Sequence, residues 1–121
     1  MARRLGAGLV LALLLAVATG AGAHAFLDRA EPRVGGKVHA PPARVSLWFT
    51  ERLEPAYSRV KVVDDTGRQV DKADGAVDAA DARVLRASLP PLAPGTYKVI
   101  WRVLSVDSHV TEGDFTFSVA P

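Results

Sequence analysis

The 121-residue chain contains no cysteine. Disulfide staples are therefore excluded, although an oxidising compartment would allow them, and so is a lipid anchor on an N-terminal cysteine. Beyond the first two dozen residues no apolar run approaches the 18 or more residues of a membrane-spanning helix. An excess of one charge is also lacking: 15 Lys and Arg against 13 Asp and Glu give a formal +2. Two of the cations, Arg3 and Arg4, fall in a segment expected to be removed, which leaves 13 against 13. A formally neutral chain offers no electrostatic support for a nucleic-acid or anionic-membrane partner. Internal repeats, low-complexity tracts and helical periodicity are missing as well.

What is present begins with an export signal. Arg3 and Arg4 supply a positive start, Leu5 to Val17 a short apolar run, and Ala21-Gly22-Ala23 a small-residue cleavage site. We therefore expect residues 1–23 to be a signal peptide and residues 24–121 the mature domain, located outside the cytoplasm in a periplasm or on the outer face of the cell. Ninety-eight residues (121 less 23) suffice for one core without staples.

The mature segment reads as short strands between turn residues. Val45, Leu47 and Phe49 alternate inward on one strand, and Arg59 to Val63 forms a second. Residues 71–83 are small and polar and read as a solvated surface connection. Val84 to Leu89 forms another strand. Pro90-Pro91-Leu92-Ala93-Pro94-Gly95 is a hard stop. After it, Thr96 to Leu104 is the clearest strand, with Tyr97, Val99, Trp101 and Val103 on one face. The Leu-x-Pro-Gly-x-Tyr entry resembles the corner at which a tyrosine hydroxyl ties a sandwich strand to nearby backbone. A loop from Ser105 to Gly113 leads to a last strand, Asp114 to Val119. About seven strands at this spacing predict a single all-β domain: an immunoglobulin-like antiparallel Greek-key sandwich or small barrel.

Three histidines remain after cleavage: His24, His39 and His109. A histidine released at the N-terminus offers its α-amine and Nδ1 to one metal ion in a six-membered chelate. The amine ordinarily titrates near about 7.7–8.0, well below the roughly 10.4 of lysine, so it sheds its proton far more readily near neutrality. Asp107-Ser108-His109 sets a carboxylate and an imidazole one residue apart, projecting the same way from extended backbone. Two imidazoles, an amine and a carboxylate make a tetragonal N,N,N,O set that suits Cu(II); Zn(II) could use similar donors but prefers a tetrahedron. Each feature has an ordinary reading too. A secreted chain can begin with histidine by chance, and His109 can be a solvated loop residue. His39 lacks a nearby carboxylate, Glu51 and Glu54 fit a solvated strand end, and Trp48 and Trp101 fit a core or wall.

Four stretches together resemble the CopC family of bacterial copper-binding proteins. His24-Ala25-Phe26-Leu27 followed by Glu31-Pro32 is similar to the family's opening. Val45-Ser-Leu-Trp-Phe-Thr-Glu51, with Glu54-Pro55, is similar to its second motif. Leu92 to Val103 resembles its Leu-x-x-Gly-x-Tyr-x-Val-x-Trp-Arg-Val strand. Ser105 to Phe117 resembles its Ser-x-Asp-Gly-His-x-x-x-Gly-x-Phe-x-Phe close. The resemblance implies a cupredoxin-like β domain binding one Cu(II) through His24 (amine and imidazole), Asp107 and His109, with Glu51 near the metal in some members. Ser108 departs from the family's glycine and would be strained at positive φ. Val110 replaces a frequent proline. Met1, the only methionine, is removed with the leader, so thioether ligation of Cu(I) is unavailable.

The expected function is thus non-enzymatic Cu(II) binding in copper homeostasis, either sequestration or delivery to a membrane importer or cuproenzyme. Any multi-helix membrane partner would be a separate chain, and the binder a monomer. Two alternatives stand beside it: a copper monooxygenase built on the same N-terminal histidine, and a metal-free immunoglobulin-like interaction module.

Overall fold

A computed structural model describes residues 25–121; the expected signal peptide, residues 1–23, and His24 lie outside the described residues. Among the described residues eight strands are formed: β1 (Leu27–Glu31), β2 (Lys37–Val38), β3 (Arg44–Phe49), β4 (Arg59–Val63), β5 (Ala76–Val77), β6 (Val84–Ser88), β7 (Gly95–Leu104) and β8 (Val110–Val119). A short 3-10 turn, Pro55–Tyr57, precedes β4. The strands make two four-stranded sheets, ordered β1-β3-β6-β5 and β2-β8-β7-β4. This is the expected all-β architecture, and antiparallel pairing holds everywhere except where β2 runs parallel to the end of β8.

Alternation along the strands builds the core. Val45, Leu47 and Phe49 of β3 face Tyr97, Val99, Trp101 and Val103 of β7 and Phe115, Phe117 and Val119 of β8, all buried. Phe49 meets Trp101 edge to face, 5.1 Å between ring centroids. Tyr97 stacks on Phe117 at 5.7 Å. Such contacts add to simple area burial because the positive ring edge meets the negative face, or offset faces avoid each other's charge. Trp101 is therefore core, whereas Trp48 lies on the outer wall beneath the Arg29 guanidinium, 3.6 Å from the ring centroid.

Three segments differ from the sequence reading. β1 is a strand that hydrophobic alternation does not reveal: of Leu27-Asp-Arg-Ala-Glu31 only Ala30 is buried, and charged side chains suit a sheet edge. β8 starts at Val110, four residues before the expected strand, because Glu112 and Asp114 point outward and Gly113 presents no side chain inward. A Cβ on Gly113 would stand 2.7 Å from Cζ2 of Trp101, so the missing side chain is what admits the indole. Residues 71–83 are more than a solvated connection. They contain β5, and their aspartates fasten backbone: Asp71 accepts from Val62 N–H (2.7 Å) and Asp74 from Ser88 N–H (2.8 Å), while Asp78 pairs with Arg86 at 2.6 Å.

The Pro-Gly entry to β7 closes as expected. Tyr97 donates its hydroxyl to the Ala93 carbonyl at 2.6 Å, four residues back. We expect Tyr97→Phe to lower stability by about 1 kcal/mol, the usual worth of one such bond. Urea denaturation checks this: the midpoint should fall with its steepness unchanged, and an unshifted midpoint would show that the corner adds nothing.

Candidate metal centre

β7 and β8 pair along their full length, from Gly95↔Val119 to Leu104↔Val110. Their connection is a five-residue loop, residues 105–109. Ser105 enters it fully buried, continuing the inward face of Tyr97, Val99, Trp101 and Val103. A buried hydroxyl must find partners, and here they are the two residues with candidate chemistry. Ser105 Oγ donates to Asp107 Oδ1 and lies 3.3 Å from the His109 N–H, which donates to it. The Ser105 N–H donates to the His109 carbonyl at 3.0 Å. One side chain thus ties both ends of the loop.

The turn inside the loop is tight. Ser108 N–H donates to the Ser105 carbonyl at 2.9 Å, and Ser108 adopts φ +75°. That is the left-handed region in which the family's glycine would be unstrained, so serine here carries the steric cost expected from the sequence. The reversal brings Asp107 and His109 to one side, with His109 Nδ1 3.3 Å from Asp107 Oδ1. When Nδ1 carries the proton and donates to the carboxylate, the basic nitrogen is Nε2, the tautomer that carboxylate-oriented metal-binding histidines use. Both side chains are exposed. The Ser105 hydroxyl bond, then the His109 bond and charge, hold Asp107 below its ordinary carboxylate value of 3.8 despite some opposing desolvation. The carboxylate therefore stays an ionised acceptor well into acid.

The other candidate residues divide by place. Glu51 is half-buried just beyond β3, in a segment running beside the same loop: the Arg52 carbonyl accepts from Val106 N–H at 3.0 Å, and Leu53 bridges to Ser105. Glu51 therefore shares a pole of the sandwich with Asp107 and His109. His39 follows Val38, which pairs with Val119 at the far end of β8. Ten strand residues at about 3.3 Å each put it roughly 30 Å from His109, too far to share an ion. His24 lies outside the described residues, but Ala25 is fully buried at the same pole as Asp107, its carbonyl accepting from Thr111 Oγ1 at 2.7 Å. Among the described residues no group of three or more His, Asp or Glu is placed to hold a metal ion. Asp107 and His109 are a pair, and a complete donor set needs further groups. A groove of about 770 Å³ over β4, β7 and β8 includes neither of them.

Ser105 was not singled out as a functional residue by sequence, although a signal existed. It is the one polar residue in an otherwise apolar inward row, placed immediately before a D-x-H.

A family model described as the CopC domain matches residues 27–120. The chain belongs to the CopC family. It is similar to the protein YobA of Escherichia coli strain K12, 36% identical over 98 residues that span 80% of this chain and 79% of that one. Among solved structures it is similar to CopC from Methylosinus trichosporium OB3b, with TM-score 0.72 and 40% identity over 81% of this chain and 95% of that one. It is also similar to PcoC, a methionine-rich copper resistance protein from Escherichia coli, with TM-score 0.70 and 31% identity over 79% and 98%. The CopC fold is therefore present from end to end of the described sandwich.

In this CopC domain the state of Asp107 gives a direct reading of the Ser105 bond. A carboxylate whose folded pKa is lowered stabilises the fold above its unfolded pKa and ceases to do so as pH falls through the folded value. In copper-free protein the Asp107 carboxyl carbon should titrate below 3.8, and Ser105→Ala should move that midpoint up toward 3.8. An NMR titration in which the two midpoints coincide would contradict the assigned cause.

Proposed function

We propose that this chain is an extracytoplasmic Cu(II)-binding protein of copper homeostasis that sequesters the ion or hands it to another protein, without catalysis of its own. A copper-related role is supported by membership of the CopC family and by the similarity to a copper resistance protein. The observation that carries the finer reading is the Asp107–His109 pair, held 3.3 Å apart on a loop organised by a buried serine. In this reading residues 1–23 are a signal peptide, and their removal turns the His24 peptide nitrogen into an amine. His24 then supplies amine and imidazole, His109 a second imidazole, and Asp107 an oxygen. Glu51, at the same pole, is the reserve carboxylate. Nitrogen-rich tetragonal sets favour Cu(II) over Zn(II) both by geometry and by the general order of affinities.

Composition supports this valence. PcoC is described as methionine-rich, whereas this chain has one methionine, at position 1. Without thioethers the mature domain has no soft set for Cu(I), so it serves Cu(II) alone. The recipient in this reading is a multi-helix membrane importer or a cuproenzyme, and the carrier acts as a monomer. No helix among the described residues is long and apolar enough to cross a membrane.

Binding must compete with protons on the amine and both imidazoles. We expect Cu(II) affinity, measured by competition with a calibrated chelator, to fall steeply below about pH 6, since imidazoles ordinarily titrate near about 6.5. His109→Ala should weaken binding by at least about tenfold, and His39→Ala, at the opposite pole, should leave it unchanged. Affinity that is flat from about pH 5 to 8, or equal losses in the two variants, would overturn this assignment.

A further inference from the structure

The segment leading into β1 is fastened more fully than a sheet edge requires. Ala25 is completely buried. Its carbonyl accepts from Thr111 Oγ1 at 2.7 Å. The next N–H, of Phe26, donates to Thr50 Oγ1 at 2.9 Å, and the Phe26 carbonyl accepts from Thr50 N–H, also at 2.9 Å. Three successive backbone groups are therefore taken, two of them by hydroxyls rather than by a strand ladder. The ladder itself is irregular here, because the β1–β3 register shifts between Leu27 and Arg29. Phe26 meanwhile exposes more than half of its side chain, 57%, so apolar packing of that ring is not what holds the segment.

The two threonines come from opposite sides. Thr50 directly follows β3, one residue before Glu51. Thr111 stands two residues after His109 on β8. Between them they fix the position of Ala25 relative to the loop carrying Asp107 and His109. Ala25 is the residue that directly follows His24 in the chain. A terminal residue left to swing would lose that freedom on chelating a metal, at a direct cost in affinity; one whose anchor is already fixed loses less.

We propose that Thr111 and Thr50 are positioning residues of the copper site, their hydroxyls pre-orienting the N-terminal chelate of His24 toward Asp107 and His109. This rests on the reading of His24 as a ligand given above. Neither threonine touches the metal in this scheme. Each acts through the backbone of residues 25 and 26. Thr111 sits opposite Val103 in the β7–β8 ladder, where valine fits as well as threonine, so Thr111→Val removes the hydroxyl and keeps the strand.

The test is Cu(II) affinity by chelator competition on chains beginning at His24, with the electron paramagnetic resonance spectrum of the bound ion as a second readout. Thr111→Val should weaken binding by roughly three- to tenfold, the worth of one neutral hydrogen bond, and Thr111→Ser should restore it. In a chain that carries both His24→Ala and one extra N-terminal glycine, so that residue 24 offers neither imidazole nor amine, the same Thr111→Val change should have no further effect on affinity or spectrum. An equal loss in both backgrounds, or no loss with His24 present, overturns the proposal alone. If His24→Ala itself leaves affinity intact, the ligand assignment falls and the proposal with it. Thr50→Val supplies the same test from the other side of the segment should Thr111→Val not fold.

Discussion

Ser105 ends the inward row of β7 with a hydroxyl that has no access to water. Leaving such a group unpaired would cost more than the bond itself is worth, so the chain after it must turn back within reach. It does so in four residues, offering the Asp107 carboxylate and the backbone of His109. The geometry of the candidate site follows from that requirement. Asp107 and His109 stand together because both are bound to the same buried atom, and Ser108 is pushed to positive φ because the loop has no spare residue with which to relax.

The rest of the sandwich serves to make that pole rigid. The β7–β8 ladder runs unbroken for ten pairs up to Leu104↔Val110, so the loop hangs from a stiff hairpin. The segment after β3 lies alongside it: the Arg52 carbonyl accepts from the Val106 N–H and the Glu54 N–H donates to the Leu104 carbonyl, which pairs Leu53 with Ser105. The start of the described chain is brought to the same place through Ala25 and Phe26. Chain segments far apart in sequence thus converge on one exposed rim, the usual way a sheet scaffold presents a binding site on loops.

Much of this was legible in the residues, for identifiable reasons. Strands with one buried face and one wet face declare themselves by alternation, which is why β3, β4, β6 and β7 were found nearly to the residue. The corner at Tyr97 was legible because proline, glycine and tyrosine each have a narrow structural use. β1 was hidden because an edge strand buries little, and only Ala30 of its five residues is inside. The early part of β8 was hidden because its inward positions are Thr111 and Gly113, neither of them a hydrophobic marker. The aspartates of residues 71–83 looked like solvated charge because a side chain that caps a distant N–H leaves no local pattern. At the site, Asp107 and His109 could be paired from spacing, and the strain at Ser108 could be anticipated from the glycine it replaces. The service of Ser105 was signalled only by one polar residue in an apolar inward row, and that of Thr111 could not be read, since its hydrogen bond to Ala25, 86 residues away in the chain, is set by the fold alone.

We propose that export processing creates a copper ligand at His24. The most direct measurement compares Cu(II) affinity, by chelator competition, for a chain beginning at His24 and for one carrying a single extra glycine before it. The glycine keeps every side chain and the whole sandwich but converts the His24 amine to an amide, which at neutral pH is a far poorer donor. The account predicts that the glycine-extended chain binds Cu(II) much more weakly, by an order of magnitude or more. Equal affinity in the two chains would contradict it.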